Sequence, residues 1–351
     1  MKLHNLVLCA ALLLVAPLFG RDKTDVVVMK NGDRLTGEIK GLNSGVLYVS
    51  LDYILGTSSV QWSKVHHVES KQLFIVKTES GSVYTGTLST SDVPSDRPME
   101  IEVATGPETK VAIERSQVVK IDQTSQNFWQ RFNGDINMGA IYSKGNQSTQ
   151  FNLDSLVQYP RERWSAQAEY SSTLASSTGA SPSTRNQLDL QSQRLLRWDN
   201  WFYQGIGIFL QSSEQEIDLQ GTLGGGIGRY LKNTNNSQIY LLGGLAWQDT
   251  AYQGTAQPIA NQNLAAALFA GQMRFFRFNK TSFDLGAIVL PALNQPGRVH
   301  VNMNTSYYIK IFSDLTWNIS FYGNWDTRPP ANFSGADYGT STGLGWTFGN
   351  R

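Results

Sequence analysis

Cysteine is nearly missing from this chain: Cys9 is the single one among 351 residues. It lies inside an apolar N-terminal run, so the rest of the chain can form no disulfide and no thiolate metal site. Histidine is scarce, with four residues. An excess of either charge is lacking as well. There are 29 Lys and Arg against 28 Asp and Glu, a formal net charge of +1. That balance gives no electrostatic reason to expect nucleic acid as a partner. Long apolar runs are missing after residue 20, and a spanning helix needs about 20 apolar residues, so no transmembrane helix is expected.

Residues 1–20 are the exception. Lys2 gives a basic start, Leu6 to Phe19 is apolar apart from Pro17, and charge resumes at Arg21. That order predicts a secretory signal peptide.

What the chain does have is alternation. Val299, Val301, Met303, Thr305, Tyr307, Ile309 and Ile311 alternate with His300, Asn302, Asn304, Ser306, Tyr308 and Lys310. Leu315, Trp317, Ile319, Phe321 and Trp325 alternate with Thr316, Asn318, Ser320, Tyr322 and Asn324. Strand side chains point to opposite faces with period two, so each segment predicts a long strand with one apolar and one polar face. The pattern continues through Phe132–Tyr142, Thr149–Tyr159, Trp164–Leu174, Thr184–Leu195, Trp201–Ser212, Ile217–Leu231, Gln238–Gln248, Asn263–Arg274, Thr281–Leu290, Arg298–Ile311, Leu315–Trp325 and Tyr338–Phe348. About twelve long strands with alternating short and long connections predict an antiparallel transmembrane β-barrel over residues 126–351. Eight of the nine Trp lie after residue 125, mostly near strand ends, where they would form aromatic girdles.

Ahead of that region two segments resemble each other. Val26 to Ile39, with Asn31-Gly32 and Thr36-Gly37, aligns with Ile75 to Leu88, with Ser80-Gly81 and Thr85-Gly86. An Asn-Gly pair supplies the positive φ of a tight hairpin. Repeats of about fifty residues with short strands predict two small SH3-like or Sm-like β modules, residues 21–70 and 71–125. His66 and His67 are adjacent, so on a strand they face opposite ways and cannot share a metal without a bend.

With the barrel expected, its polar face defines the candidate lining: Asp135, Asp154, Glu169, Asp189, His300, Asn302 and Asn304. Amides dominate around them. Two readings follow, a hydrated or side-chain-filled interior and a narrow pore with mild cation preference. No cofactor and no metal site is expected. A hydrolase would need a serine beside a histidine base. His300 has Asn302 two residues on, and Ser306 stands six away, so a lipid hydrolase using His300 is kept only as the alternative.

The chain resembles the salt-induced outer-membrane protein family, which carries a bacterial domain of unknown function. The resemblance rests on Gly139-Ala140-Ile141-Tyr142-Ser143-Lys144-Gly145-Asn146-Gln147-Ser148-Thr149, on Arg161-Glu162-Arg163-Trp164, and on the leading Met29 to Gly37. Its last strand, with Ser341, Gly343, Trp346 and Phe348, is similar to the assembly signal of outer-membrane proteins. The resemblance implies an outer-membrane barrel with a periplasmic N-terminal part. Outer-membrane lipids and the barrel-assembly machinery would be its partners, and a link to salt or envelope stress would follow. It implies no catalytic residue, and a non-enzymatic envelope protein is the expectation.

Overall fold

A computed structural model describes residues 21–91, 99–106, 109–144, 148–177, 179, 181–197, 199–213, 217–252, 262–278, 280–311, 315–329 and 335–346. The expected signal peptide, with Cys9, lies outside the described residues. Two antiparallel sheets account for nearly all regular structure, so the all-β expectation holds. The first sheet contains β1 (Asp25–Met29), β2 (Arg34–Asn43), β3 (Val46–Leu51), β4 (Ser58–Gln61), β5 (Val65–Thr78), β6 (Val83–Thr90), β7 (Glu100–Ala104), β8 (Lys110–Glu114) and β9 (Val118–Gln123).

Within it, β1 pairs with β2 and β5, and β9 pairs with the same two strands. Those four close into a small ring. Val27, Ile39, Leu47, Val65, Phe74, Ile101 and Ile121 fill the interior and are almost inaccessible to solvent. The repeat seen in the sequence is a repeat of hairpins. β1 turns into β2 at Gly32 (φ +92°), and β5 turns into β6 at Gly81 (φ +81°). Both glycines adopt a left-handed conformation that other residues resist. Gly37 and Gly86 are equivalent too. A methyl group at Gly37 would meet the Ser50 carbonyl oxygen at 2.5 Å, and one at Gly86 would collide with the Ala104 carbonyl. The expected pair of separate modules is corrected here. β5 runs through the 70–71 junction and serves both halves, and the two halves share one sheet and one core.

The second sheet contains β10 (Asn133–Ser143), β11 (Ser148–Pro160), β12 (Trp164–Ser176), β13 (Ser183–Leu195), β14 (Trp201–Ser212), β15 (Ile217–Asn233), β16 (Ser237–Tyr252), β17 (Gln262–Arg277), β18 (Thr281–Pro291), β19 (Val299–Lys310), β20 (Leu315–Asp326) and β21 (Ala336–Trp346). They lie in chain order, each paired to the next. Phe202, Leu242, Ala246, Leu264, Ala266, Leu268 and Leu290, from β14 to β18, form a second buried cluster on one face. The opposite face keeps Leu223, Leu245 and Phe269 exposed.

The expected twelve-stranded closed barrel is overturned. The sheet is open, with no ladder between β10 and β21 among the described residues. Past Asn133, every residue of β10 is exposed, on both faces. Open edges leave a row of backbone N–H and C=O groups without partners. In hydrocarbon each such group costs several kcal/mol, so only a closed barrel or a helix spans a bilayer. The outer-membrane location, the transmembrane strands, the porin-like channel and the envelope role all rested on closure. They are withdrawn with it.

The nine-stranded unit lies against the short-turn end of the large sheet. Asn200, in the turn before β14, donates from Nδ2 to the Glu79 carbonyl at 2.8 Å. Asn235, in the turn between β15 and β16, donates to the Val118 carbonyl at 2.7 Å. Asn233 reaches the Thr78 carbonyl at 3.5 Å. Three side-chain amides thus satisfy backbone carbonyls of the smaller unit.

Candidate functional site

The two sheets meet at a half-buried charge cluster. Lys77 on β5 and Lys120 on β9 are register partners, a like-charge pairing that would destabilise the ladder unaided. Asp122, two residues on from Lys120 and therefore on the same face, sits between them. Its carboxylate is 3.0 Å from Lys120 Nζ and 3.3 Å from Lys77 Nζ. Burial alone would raise the Asp122 pKa, but Lys120 and Lys77 outweigh it and hold the carboxyl below its ordinary value. Burial pulls Lys77 down. Asp122 lifts Lys120.

This cluster faces the inward end of the large sheet. There Phe202, Tyr230 and Tyr240 form an aromatic trio with ring centres 5.0 to 5.6 Å apart. Burial raises the Tyr230 pKa and pushes Tyr240 to about 12. Gln193 donates to the Tyr230 hydroxyl at 3.2 Å. Beyond them Arg274 Nε donates to Asp284 at 2.6 Å, and Gln272 caps the other carboxylate oxygen at 3.2 Å. Alternating ions and amides of this kind lock two elements together, because removing one member leaves a partly desolvated charge without its partner.

A second polar cluster lies on the face that also carries His300. Arg298, 6% exposed, forks onto Asp326 through Nε and Nη2 at 2.7 to 3.2 Å. Burial would raise the Asp326 pKa. The Arg298 hydrogen bonds, the Arg328 backbone N–H and the neighbouring charges outweigh that and lower it. His300 Nε2 lies 3.2 Å from Asp326 Oδ2 but makes no hydrogen bond there. Burial lowers the His300 pKa, the Asp326 charge opposing it.

Each candidate from the sequence can now be placed. Asp135, Asp154, Glu169, Asp189, His300, Asn302 and Asn304 share one face by register. Asp154 lies opposite Asn137, Glu169 opposite Asp189, His300 opposite Leu290 and Asp326, and Asn304 opposite Gly286. That face encloses no sealed lumen, because the sheet is open. Glu169 and Asp189 are the one candidate pair brought side by side. Burial raises the Asp189 pKa, while the Gln187 hydrogen bond works against it. Asp135 is exposed and takes a hydrogen bond from Asn137 at 3.0 Å. The hydrolase alternative finds no support at His300. Ser306 stands opposite Asp284, about 20 Å along the strand at the usual rise per residue.

Of the assembly-signal residues, Ser341 and Gly343 lie within β21 and Trp346 ends it, while Phe348 lies outside the described residues. Among the described residues β21 pairs with β20 alone, so it is an edge of an open sheet and not the closing strand of a barrel. The barrel-assembly and outer-membrane-lipid partners lose their basis with that finding.

Sequence reasoning missed Lys77, Lys120, Asp122, Arg274, Asp284, Arg298 and Asp326. Lys120 and Asp122 carried a signal: two opposite charges spaced by one on an otherwise apolar strand. The others acquire meaning only through register.

One comparison with known proteins bears on this architecture. A family model described as a protein of unknown function, DUF481, matches residues 136–348, which covers β11 to β21 entirely and most of β10. The chain belongs to the DUF481 family. The DUF481 match takes in the large sheet and stops short of the nine-stranded unit, so Asn200, Asn233, Asn235, Tyr230 and Arg274 are the DUF481 side of the junction. No curated protein matches the chain.

Proposed function

We propose that this DUF481 protein is a non-catalytic association protein whose large sheet presents an apolar face to a partner surface. One observation carries the reading. Through the register, exposed and half-exposed apolar side chains follow one another across the strands of one face. Met138 lies opposite Leu153, Phe151 opposite Leu174, and Leu223 opposite Trp247. Phe269, Val289, Val301 and Trp325 follow one another across four strands. Met138 is 75% exposed, Leu245 65% and Leu344 72%. Apolar patches beyond a few hundred Å² mark association sites on proteins.

The non-catalytic part is supported by His300, whose buried neighbours are an arginine and a carboxylate with no hydroxyl nucleophile in register. The nine-stranded unit serves as a rigid cap over one end of the sheet. Its equivalent hairpins and its equivalent glycines, Gly37 and Gly86, support descent from a duplicated small SH3-like module, with halves at 21–70 and 71–125.

The test is sedimentation of the purified chain in aqueous buffer. The native protein is expected to self-associate and to bind an apolar dye. Leu245→Lys with Phe269→Lys is expected to reduce both. A native protein that sediments as a monomer and leaves the dye free refutes the reading.

A further inference from the structure

We propose that the free edges of β10 and β21 are pairing surfaces for a second copy of this chain, β10 of one copy adding antiparallel to β21 of the next. The contact is made by edge backbone and not by the apolar face, so it goes beyond the reading above and stands or falls without it.

Among the described residues β10 pairs with β11 alone and β21 with β20 alone. Each edge strand has 11 residues, about twice an ordinary strand. Folded proteins usually blunt such edges with short strands, lysine, proline or a bulge. These two edges use none of those devices. Asn133–Ser143 and Ala336–Trp346 contain no proline, lysine or arginine, and a single aspartate each. Both edge ladders run without a register shift, whereas the irregular pairings of this sheet lie inside it, between β14 and β16. Ile136, Met138 and Tyr142 on β10, and Tyr338 and Leu344 on β21, stand exposed.

The two edges fit each other in direction and in face. Twelve strands in chain order, each antiparallel to the next, leave β10 and β21 antiparallel. A second copy laid alongside in the same orientation therefore offers its β21 to β10 in the antiparallel sense. Followed across the sheet, the ladder partners place the even-numbered residues of both edge strands on the apolar face. The apolar face of one copy then continues into that of the next.

The register follows from the faces. A slip of one residue turns every side chain to the other side, so even-numbered residues must oppose even-numbered ones. Two such registers give the longest overlap. One opposes residues 134–143 to 337–346 and sets Ile136 against Leu344, Met138 against Thr342 and Tyr142 against Tyr338. On the polar face it sets Asp135, Asn137 and Ile141 against Gly345, Gly343 and Gly339, which have no side chain to collide. The other sets Gly134 against Leu344 and Ala140 against Tyr338, and loses both large cross-strand pairs. The first is therefore the register of the contact. Its opposed residues exchange about ten hydrogen bonds. A strand of another protein could accept the same backbone bonds, but a second copy brings the matching length, direction and face together.

Site-directed cross-linking of the full chain tests this. Cys9→Ser supplies a background without thiols. Ile136→Cys and Leu344→Cys are placed on separate chains, mixed, and treated with a short bismaleimide. A covalent dimer is expected from the mixture and from neither variant alone. Ser341→Cys, three residues along β21 and on the other face, is expected to give no dimer with Ile136→Cys. Gly139→Lys with Ile141→Lys puts two charges on the β10 edge and is expected to cut the linked fraction at least about fivefold. The far-UV circular dichroism spectrum checks that each variant keeps its strands. Leu245→Lys with Phe269→Lys, which alters the apolar face, is expected to leave the link in place, and a link lost there assigns the contact to the face and overturns the edge. No dimer from the mixture overturns the proposal, as does equal linking through Ser341→Cys. Ile136→Cys chains linking to one another would mean that β10 pairs with β10. A chain carrying both cysteines that bridges them within one monomer would mean that the two edges meet in a single copy. Either result overturns the proposal.

Discussion

At the scale of single residues, the junction depends on amides that reach across it. Asn235 gives one short hydrogen bond to the Val118 carbonyl and a longer one, 3.3 Å, to that of Ser116. Asn235→Ala leaves those acceptors without their donor. It is expected to destabilise the protein by about 1–2 kcal/mol, read from urea unfolding. His300 gives a prediction in pH. Its pKa is lowered in the folded state from the ordinary 6.5. The unfolded chain therefore binds the proton more readily. The stability from a neutral His300 is present above pH 6.5 and is lost as pH falls through the lower folded value. His300→Gln is expected to flatten that part of the stability profile, measured by thermal unfolding across pH 4.5–8. A profile as steep as that of the native protein would assign the slope to other groups.

At the scale of elements, the two hairpins of the smaller unit depend on glycines packed under the next strand. Gly86→Ala forces a methyl group against the Ala104 carbonyl. It is expected to cost about 1–3 kcal/mol in denaturant unfolding, as overpacking does. Gly139 on β10 has open space around it. Gly139→Ala is expected to be neutral or slightly stabilising, within about 1 kcal/mol, because it removes only backbone freedom. Strands were the most legible feature of the sequence. The expected Trp201–Ser212 is β14 to the residue, and the expected Leu315–Trp325 falls one residue short of β20. Alternation reports which face of a strand is apolar, and it does so locally. It carries no information about whether the first and last strands of a meander meet. For the same reason Asp154, Glu169 and Asn304 could be assigned to one face, whereas the pairing of Arg298 with Asp326 could not be foreseen. The two lie 28 positions apart and meet through the β19–β20 register.

At the scale of the whole molecule, the charge cluster between the sheets governs cooperativity. Asp122 screens Lys77 from Lys120 where neither is well hydrated, their side chains being 17% and 37% exposed. Asp122→Ala leaves two cations facing each other beside Tyr230 and Arg274. It is expected to destabilise the protein by about 1–3 kcal/mol, as losing hydrogen bonds to charged groups does. Adding Lys77→Met to that variant is expected to recover part of the loss, because the remaining lysine then has no like charge opposite it. Chemical denaturation of the single and double variants measures both. Equal stability in the two would mean that Lys77 and Lys120 do not feel each other.

β5 is the one strand that belongs to both halves of the smaller unit. Its first part pairs with β1 and its last part with β6 and β9. It works as a shared spine, so neither half possesses a complete interior of its own. One extra residue inserted near Lys71 would invert every side chain on one side of the insertion relative to the other. Phe74 and Val76 would then turn outward while Val65 and Val68 stayed inward. A lengthening that either half could absorb at its tips would, at that point, dissolve both.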